Sequence, residues 1–280
     1  MLTEPYLLKT ITNLATNNNN PYQLLDLIDA TKTSMRGIVW KPEKVVDESE
    51  GSLKEGEVYV FDADETEYNG VSQLTIHWAE KIESDKSSFR REAKFSPEEL
   101  MIKFKKVIST VRTPSYRAVV KGLLSLDTDF FSKLQSLPKT TKYDYDYPGG
   151  LLQSIVYCVE IADQLSETFQ LSEESRDLLI CSAMVCDLGK ITEITSESMK
   201  TDEGRLLGHQ YLGCVILNRF DKDTDFEYHS DILKLQHCVI THHTDELGNW
   251  SPVKPQFIEA DLCRMIGQIV YKVDACSKGK

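Results

Sequence analysis

The chain has 280 residues, of which 41% are hydrophobic and 27% charged, with a formal net charge of −12 at pH 7. These proportions are those of a soluble globular protein, and the length suffices for one large or two ordinary domains, of which we expect two. The negative balance argues against tight nonspecific binding of nucleic acid by the whole surface.

Residues 1–90 are predicted to form short β-strands. Stretches rich in β-branched and aromatic residues cover 22–30, 35–40, 57–63 and 71–78, and a further strand precedes a polar tip at 17–20. Turn signals separate them, and Tyr68-Asn69-Gly70 is a strong hairpin signal. Four or five short strands with such turns predict a small OB-like β-barrel.

Three aromatic residues of this predicted barrel, Trp40, Tyr68 and Trp78, are candidates for stacking on the bases of a nucleic acid. OB barrels bind single strands by such stacking along a basic groove. Aromatic residues in strands also serve for packing within a sheet, and this alternative stays open. Residues 1–85 contain 7 Lys and Arg against 16 Asp and Glu, which also suits a protein-interaction role.

Residues 91–141 are predicted to be a basic helical connector. Ser96 is a good N-cap with Pro97 at the first helical position, and further helices are expected over 116–126 and 128–137. Residues 86–142 contain 13 Lys and Arg against 5 Asp and Glu. Such a band either binds phosphates or forms a solvated helix face. Its candidate nucleic-acid-binding residues are Lys103, Lys106, Arg112 and Arg117.

Residues 142–280 are predicted to be wholly helical. The segments 150–165, 172–185, 206–220 and 232–243 carry apolar residues at three- and four-residue spacing. The second segment leads to Asp187, whose carboxylate is expected at the rim of a buried surface. Histidines at 209, 242 and 243 follow, and an aspartate near several histidines is typical of a metal site.

The seven cysteines all lie after residue 157, and none forms a Cys-x-x-Cys pair. An odd number without that spacing indicates reduced thiols. The sequence also has no signal-peptide pattern at its start and no run near the ~18 apolar residues of a membrane span. We therefore expect a cytoplasmic protein without a membrane partner.

Several motifs occur in a characteristic order along the chain: Gly149-Gly150-Leu151-Leu152, Cys186-Asp187-Leu188-Gly189-Lys190, Gly204 to His209, Ile240 to His243, Trp250 to Pro255 and Val273-Asp274-Ala275. Together with the predicted barrel, they resemble the YhaM-type 3′-5′ exoribonucleases. The resemblance covers almost the whole chain. It implies an α+β multidomain protein with an N-terminal OB-like β-barrel (1–90), the basic helical connector (91–141) and an all-α HD-type helical domain (142–280).

The resemblance also implies a metal centre that hydrolyses phosphodiester bonds. One divalent cation such as Mn²⁺ or Zn²⁺, or none, is expected in this chain. The residues at or beside its metal-binding positions are Asp187, His209, His242 and His243, with Cys186 as a softer further ligand. The residues implied to act with them are Asp187 and Lys190 in catalysis, and Arg205 and Lys254 in holding a nucleic-acid strand.

Other metal-binding positions of the family are altered. Ser154 and Cys186 stand where histidines are expected, and neither Gly267 nor Tyr271 supplies the last carboxylate. The sequence therefore predicts a degenerate exoribonuclease homologue that binds single-stranded RNA or DNA, or a protein partner. One alternative is a metal-dependent 3′-5′ exonuclease that works from the remaining half-site. The other alternative is a protein-interaction factor that binds no nucleic acid.

Overall fold

The computed structural model describes residues 2–45, 51–89, 91, 93–125, 128–141, 144–196, 198–223, 227–243 and 251–277. The chain divides into two compact units, Met1–Arg91 and Glu92–Lys280. The first unit is a β-barrel and the second is helical, so the predicted order of a barrel followed by helices is confirmed. Within the described residues, no helix has the length and apolar content that crossing a membrane requires.

In its described residues, the first unit contains five strands that close into a barrel in the order β1-β2-β3-β5-β4. The β3–β5 pairing is parallel and the remaining pairings are antiparallel. Alternate side chains point inward and fill the barrel, among them Leu8, Leu25, Leu27, Phe61 and Leu74. The strands are β1 Leu2–Ala15, β2 Pro21–Asp29, β3 Ser34–Val39, β4 Val58–Tyr68 and β5 Val71–Ile82.

The predicted hairpin turn between β4 and β5 is confirmed. Tyr68 pairs with Val71, so the loop has two residues. Asn69 and Gly70 both have positive φ angles, 52° and 76°. A type I′ turn requires positive φ at both central positions, and Asn-Gly adopts it at little steric cost. The turn therefore fixes the register of the longest hairpin in the barrel.

The second unit contains ten helices in its described part, and the segments predicted to be helical all form helices. They are α1 Pro97–Ile108, α2 Pro114–Leu124, α3 Thr128–Ser136, α4 Gly150–Thr168, α5 Glu173–Val185, α6 Lys190–Glu193, α7 Asp202–Leu206, α8 Gly208–Asp223, α9 His229–Thr241 and α10 Ile258–Ser277. The Ser96 side chain accepts a hydrogen bond from the backbone N–H of Glu99, and the Glu99 carboxylate accepts one from the backbone N–H of Ser96, so the expected start of α1 is confirmed.

Helices α4 and α5 form the centre of the helical unit. They pack against each other, and α1, α3, α9 and α10 pack around them. Helices α1 to α3, which the sequence analysis assigned to a connector over 91–141, belong to this unit. Their apolar residues join one continuous core with those of α4 and α5.

A buried carboxylate joins the α1–α2 turn to α5. Asp177 accepts hydrogen bonds from the backbone nitrogens of Arg112 and Thr113 at 2.8 and 2.7 Å, and from the Thr113 hydroxyl at 2.9 Å. Arg176 pairs with its other oxygen at 3.1 Å. Because Asp177 has no solvent exposure, these partners replace water around the charge. The contact fixes α5, and the turn that follows this helix carries Asp187.

Candidate metal centre

Asp187 lies in the turn between α5 and α6, where the chain runs against the start of α8. The glycine at 189 permits this approach, because a Cβ atom there would lie only 1.9 Å from the backbone oxygen of His209. Gly208, with a φ of 73°, provides the left-handed residue that starts α8. His209 follows in the first turn of that helix. Two glycines thus bring Asp187 and His209 together.

His242 and His243 complete the group from the end of α9, where His242 is the C-cap residue. Nε2 of His209 lies 3.3 Å from Nε2 of His242 and 3.0 Å from Nε2 of His243. Oδ1 of Asp187 lies 3.9 Å from Nε2 of His209 and 3.8 Å from Nε2 of His242. All four donor atoms lie within 4.8 Å of one another. We call these four residues the His-Asp cluster.

The spacing in the His-Asp cluster suits a bound divalent cation. Two ligands of a tetrahedral ion with bonds of about 2.0–2.1 Å lie about 3.3 Å apart. The four distances above bracket that value. Imidazole nitrogens with a carboxylate oxygen are a donor set that Zn²⁺, Mn²⁺ and Fe²⁺ accept. The residues present therefore fit one divalent cation.

Hydrogen bonds orient two of the imidazoles toward the cluster. Nδ1 of His242 lies 2.7 Å from the carbonyl oxygen of Val239, which can only accept, so Nδ1 carries the proton. Nδ1 of His209 lies 3.1 Å from Oε2 of Glu193 and donates to that carboxylate. In a neutral imidazole the second nitrogen is then a bare acceptor. Both Nε2 atoms consequently present lone pairs to the centre of the cluster.

Burial keeps these imidazoles neutral. Burial lowers the pKa of His242 to about 3, against the opposing attraction of Asp187. Burial and the Lys190 ammonium likewise lower the pKa of His209. Burial alone would raise the pKa of the Asp187 carboxyl, but Lys139, Lys190 and the facing imidazoles hold it far below its usual range. The cluster therefore offers two lone pairs and an ionised carboxylate at neutral pH.

One oxygen of Asp187 lacks a hydrogen-bond donor among the residues that the structure describes. This atom, Oδ1, is buried, and it lies 3.8 Å from Nε2 of His242 and 3.9 Å from both Nε2 of His209 and Nζ of Lys190. A buried carboxylate oxygen without a donor is costly. The unprotonated Nε2 atoms of His209 and His242 lie beside this oxygen and add two further lone pairs. A cation at this point would satisfy all three atoms.

The other oxygen of Asp187 faces Lys139. Oδ2 of Asp187 lies 3.6 Å from Nζ of Lys139, which also lies 2.9 Å from Oδ2 of Asp144. Burial alone would lower the pKa of Lys139, but Asp187 and Asp144 raise it above its ordinary value. A cavity of about 350 Å³ lies beside these groups. Its lining includes Lys139, Asp144, Asp187, Lys190, His242 and Tyr271.

Of the predicted metal ligands, the structure brings together Asp187, His209, His242 and His243. Cys186 is not part of the group. Its Sγ atom lies 3.3 Å from Sγ of Cys263 in the core. Successive helical residues point about 100° apart, so at the end of α5 the thiol and the neighbouring carboxylate face different surroundings.

The altered positions of the family pattern have other partners here. The Ser154 hydroxyl donates to the carbonyl of Leu151 at 3.1 Å within α4. Gly267 and Tyr271 both line the cavity without supplying a carboxylate. Oδ2 of Asp274 accepts the backbone N–H of Tyr145 at 2.8 Å.

Two residues that contact the His-Asp cluster, Glu193 and Lys139, were missed by the sequence analysis. Glu193 holds His209 and is itself held by Lys190 at 3.5 Å and Lys200 at 3.1 Å. Burial would raise the pKa of Glu193, but the bond from His209 and the lysines lower it well below its usual range. The second missed residue is Lys139. The Lys190-x-x-Glu193 spacing, one helical turn, is the only signal in the sequence for either residue.

The predicted nucleic-acid-binding residues are three aromatic residues in the barrel and six basic residues in the helical unit. In the barrel, Trp40, Tyr68 and Trp78 have 51%, 63% and 38% of their surface exposed. The Trp40 ring lies 5.3 Å from that of Tyr22. These exposures leave the rings available for stacking.

In the helical unit, most of the predicted basic residues face solvent. Lys106, Arg117 and Lys254 are exposed. Arg112 pairs with Glu173 at 3.2 Å, and the Lys103 ammonium lies 4.3 Å from the centre of the Phe95 ring. Arg205 pairs with Asp202 and donates to the backbone oxygen of Lys200 at 2.8 Å. Trp250, part of the motif ending at Pro255, lies outside the described residues.

No protein-family model, curated protein or solved structure matches this chain.

Proposed function

We propose that this chain is a metal-dependent phosphodiesterase that acts on single-stranded nucleic acid, related to the YhaM-type exoribonucleases. The helical unit is then an HD-type domain and the barrel an OB module. The observation that carries the proposal is the convergence of Oδ1 of Asp187 with Nε2 of His209 and His242. These atoms are buried or nearly so, and no proton lies among them.

The residues of the His-Asp cluster would hold one divalent cation. When bound, such an ion would polarise a phosphate oxygen, or lower the pKa of a water, that occupies a coordination position beyond those of the four residues. Val239 and Glu193 keep the two imidazoles in the tautomer that binds metal. This arrangement prepares the site before any substrate arrives.

The cavity beside the cluster provides a place for a phosphate ester. Its volume, about 350 Å³, is within the usual range of small-ligand pockets. The ammonium groups of Lys139 and Lys190 line the cavity and are themselves largely buried. They place positive charge where a phosphate would bind, and a partly dehydrated site strengthens that attraction.

The barrel supports the choice of nucleic acid as the substrate class. A closed five-stranded barrel with the order β1-β2-β3-β5-β4 is consistent with an OB module. The exposed rings of Trp40, Tyr68 and Trp78 could stack on bases. The 3′-5′ direction comes from the sequence resemblance alone.

A second candidate function is nucleic-acid binding without turnover. The observation that favours it is the pairing of Lys139 with Asp144 and Asp187, which places an ammonium group beside the metal-binding carboxylate. Ser154 and Cys186 also contact the helical core instead of the cluster. If one cation proves insufficient for hydrolysis, the chain would retain only the binding role.

The deciding experiment is a degradation assay on 5′-labelled single-stranded RNA. Protein stripped with a chelator and reloaded with Mn²⁺ or Zn²⁺ should shorten the RNA from its 3′ end. His242→Ala should abolish shortening, because it removes a buried donor from the cluster. His229→Ala serves as the matched control, since that half-exposed histidine pairs with Asp221 at 2.6 Å, outside the cluster.

Shortening that survives in His242→Ala would contradict the proposal. If the metal-loaded protein does not shorten the RNA but gives a gel shift that weakens as salt increases, the second candidate is favoured. In that case Trp40→Ala should weaken the complex by about 1–3 kcal/mol, the contribution of one stacked base. If the protein shows neither turnover nor a gel shift, a protein-interaction role for the acidic barrel is the function that remains.

A further inference from the structure

A buried ammonium group lies on the side of Asp187 opposite the histidines. The side chains of Lys139, Asp144 and Asp187 have only 7%, 5% and 11% of their surface exposed. Nζ of Lys139 lies 2.9 Å from Oδ2 of Asp144 and 3.6 Å from Oδ2 of Asp187. Two buried carboxylates therefore converge on one positive charge.

The loop that carries this lysine holds it in place. The backbone nitrogen of Lys139 donates to the carbonyl of Tyr145 at 2.9 Å, and the Thr140 hydroxyl donates to the carbonyl of Asp144 at 2.8 Å. The backbone nitrogen of Tyr145 donates to Asp274 in α10 at 2.8 Å. Lys139 and Asp144 are thus fixed to each other and to α10. The placement of the ammonium is built into the fold.

Asp187 is shared between the proposed metal position of the His-Asp cluster and the ammonium of Lys139. Its Oδ1 atom faces Nε2 of His209 and His242, and its Oδ2 atom faces the ammonium of Lys139. A carboxylate that presents one oxygen to each of two cations is the arrangement of two-metal sites. Here one of the two positions is filled by a side chain. Removing that side chain would take a positive charge away from two buried carboxylates, of which Asp187 would keep the ion pair of its Oδ1 atom with Lys190 at 3.9 Å, and this is an unfavourable state.

We propose that the ammonium of Lys139 takes the place of a second metal ion and makes the centre mononuclear. If the ammonium is removed, Asp144 and Asp187 can bind a divalent cation in its place, because carboxylates are suitable ligands for Mn²⁺. Both carboxylates and Lys139 line the same cavity, so an ion has access to this position. The inference rests on the proposed metal site at the His-Asp cluster.

The test is the number of Mn²⁺ ions bound per chain. Full-length protein is dialysed against Mn²⁺, the bound metal is measured by elemental analysis, and the loaded protein is examined by electron paramagnetic resonance. The wild type should bind one ion with the signal of isolated Mn²⁺. Lys139→Met should bind two ions, with a coupled signal, and its thermal unfolding should shift more on Mn²⁺ addition than that of the wild type.

Two further variants separate charge from shape. Lys139→Arg keeps the positive charge and should still bind one ion. Lys139→Met combined with Asp144→Asn removes one of the two carboxylates and should also bind one ion. Lys139→Gln, which can still donate to a carboxylate, replaces Lys139→Met if the latter does not fold, and it should bind two.

The outcomes distinguish this inference from the proposed function. A wild type that binds two ions, or neutral variants of Lys139 that bind only one, would overturn the role of the ammonium and leave the metal site intact. A wild type that binds no ion would overturn both proposals. One ion in the wild type and two in the neutral variants is the result that supports the inference.

Discussion

Replacing Glu193 by glutamine tests how the cluster is prepared for metal. Oε2 of Glu193 lies 3.1 Å from Nδ1 of His209, and its side chain is only 5% exposed. Glutamine has nearly the same shape but no charge. If its carbonyl oxygen accepts from His209, its amide group faces Lys200, which pairs with Glu193 at 3.1 Å. If it turns around, the histidine loses its acceptor.

Either orientation weakens His209 as a ligand without removing any of the four donors. Loss of a carboxylate behind a metal-binding histidine costs about 10–100-fold in affinity, which is about 1.4–2.7 kcal/mol. We therefore expect Glu193→Gln to raise the dissociation constant for Zn²⁺ by that factor. Binding should weaken but persist.

The assay is competition for Zn²⁺ with a chelator of known affinity, followed by calorimetry. Circular dichroism must show that the variant is folded, because Glu193 also pairs with Lys190. The matched control is Glu203→Gln, the same change at an exposed position in α7. An affinity within about threefold of the wild type, or an equal loss in the control, would refute the reasoning.

Three further experiments test the residues that hold the site in place and the burial of the helical core. Asp177→Ala should lower the free energy of unfolding in urea by about 3–5 kcal/mol, because it leaves buried donors unpaired. The exposed neighbour Glu173→Ala should cost less than about 1 kcal/mol, and equal losses would contradict this. Gly189→Ala should reduce metal binding at least tenfold, measured by the same competition, since its Cβ atom would overlap the backbone of α8; unchanged affinity would show that the turn can move. Alkylation with iodoacetamide at pH 8 should label the exposed Cys276 well before Cys158, whose pKa burial raises to about 12, and mass spectrometry would reveal the reverse order if this burial were wrong.

Local signals in the sequence were sufficient to predict many elements of the fold. The Ser96 cap and the Asn69-Gly70 turn each depend on residues within a few positions of each other. The local sequence is therefore sufficient to predict both features. Residues 142–280 were predicted to be wholly helical, but helix α10 was not among the segments for which bounds were predicted. It contains Gly267, and apolar residues such as Met265, Ile269 and Val273 are exposed on it, so its apolar pattern does not mark a single buried face.

The candidate site could be predicted only in part, for a different reason. Asp187, His209 and His242 lie in motifs that the resemblance singles out. Glu193 contacts His209 and Lys139 contacts Asp187 because tertiary packing brings distant parts of the chain together. No sequence motif connects Lys139 to Asp187. Cys186 was predicted as a further metal ligand because it adjoins Asp187 in the sequence. Neighbouring helical side chains point in different directions, however, and the Cys186 thiol lies in the core.

X-ray absorption of the chain loaded with one equivalent of Zn²⁺ tests the central claim most directly, because it reports the ligands of the bound ion. Our account predicts stoichiometric binding, a shell of nitrogen and oxygen at about 2.0–2.1 Å with the scattering of three imidazoles, and loss of that binding in His242→Ala. A sulfur ligand at about 2.3 Å, which would place Cys186 or another thiol at the metal, or the absence of stoichiometric binding, would contradict it.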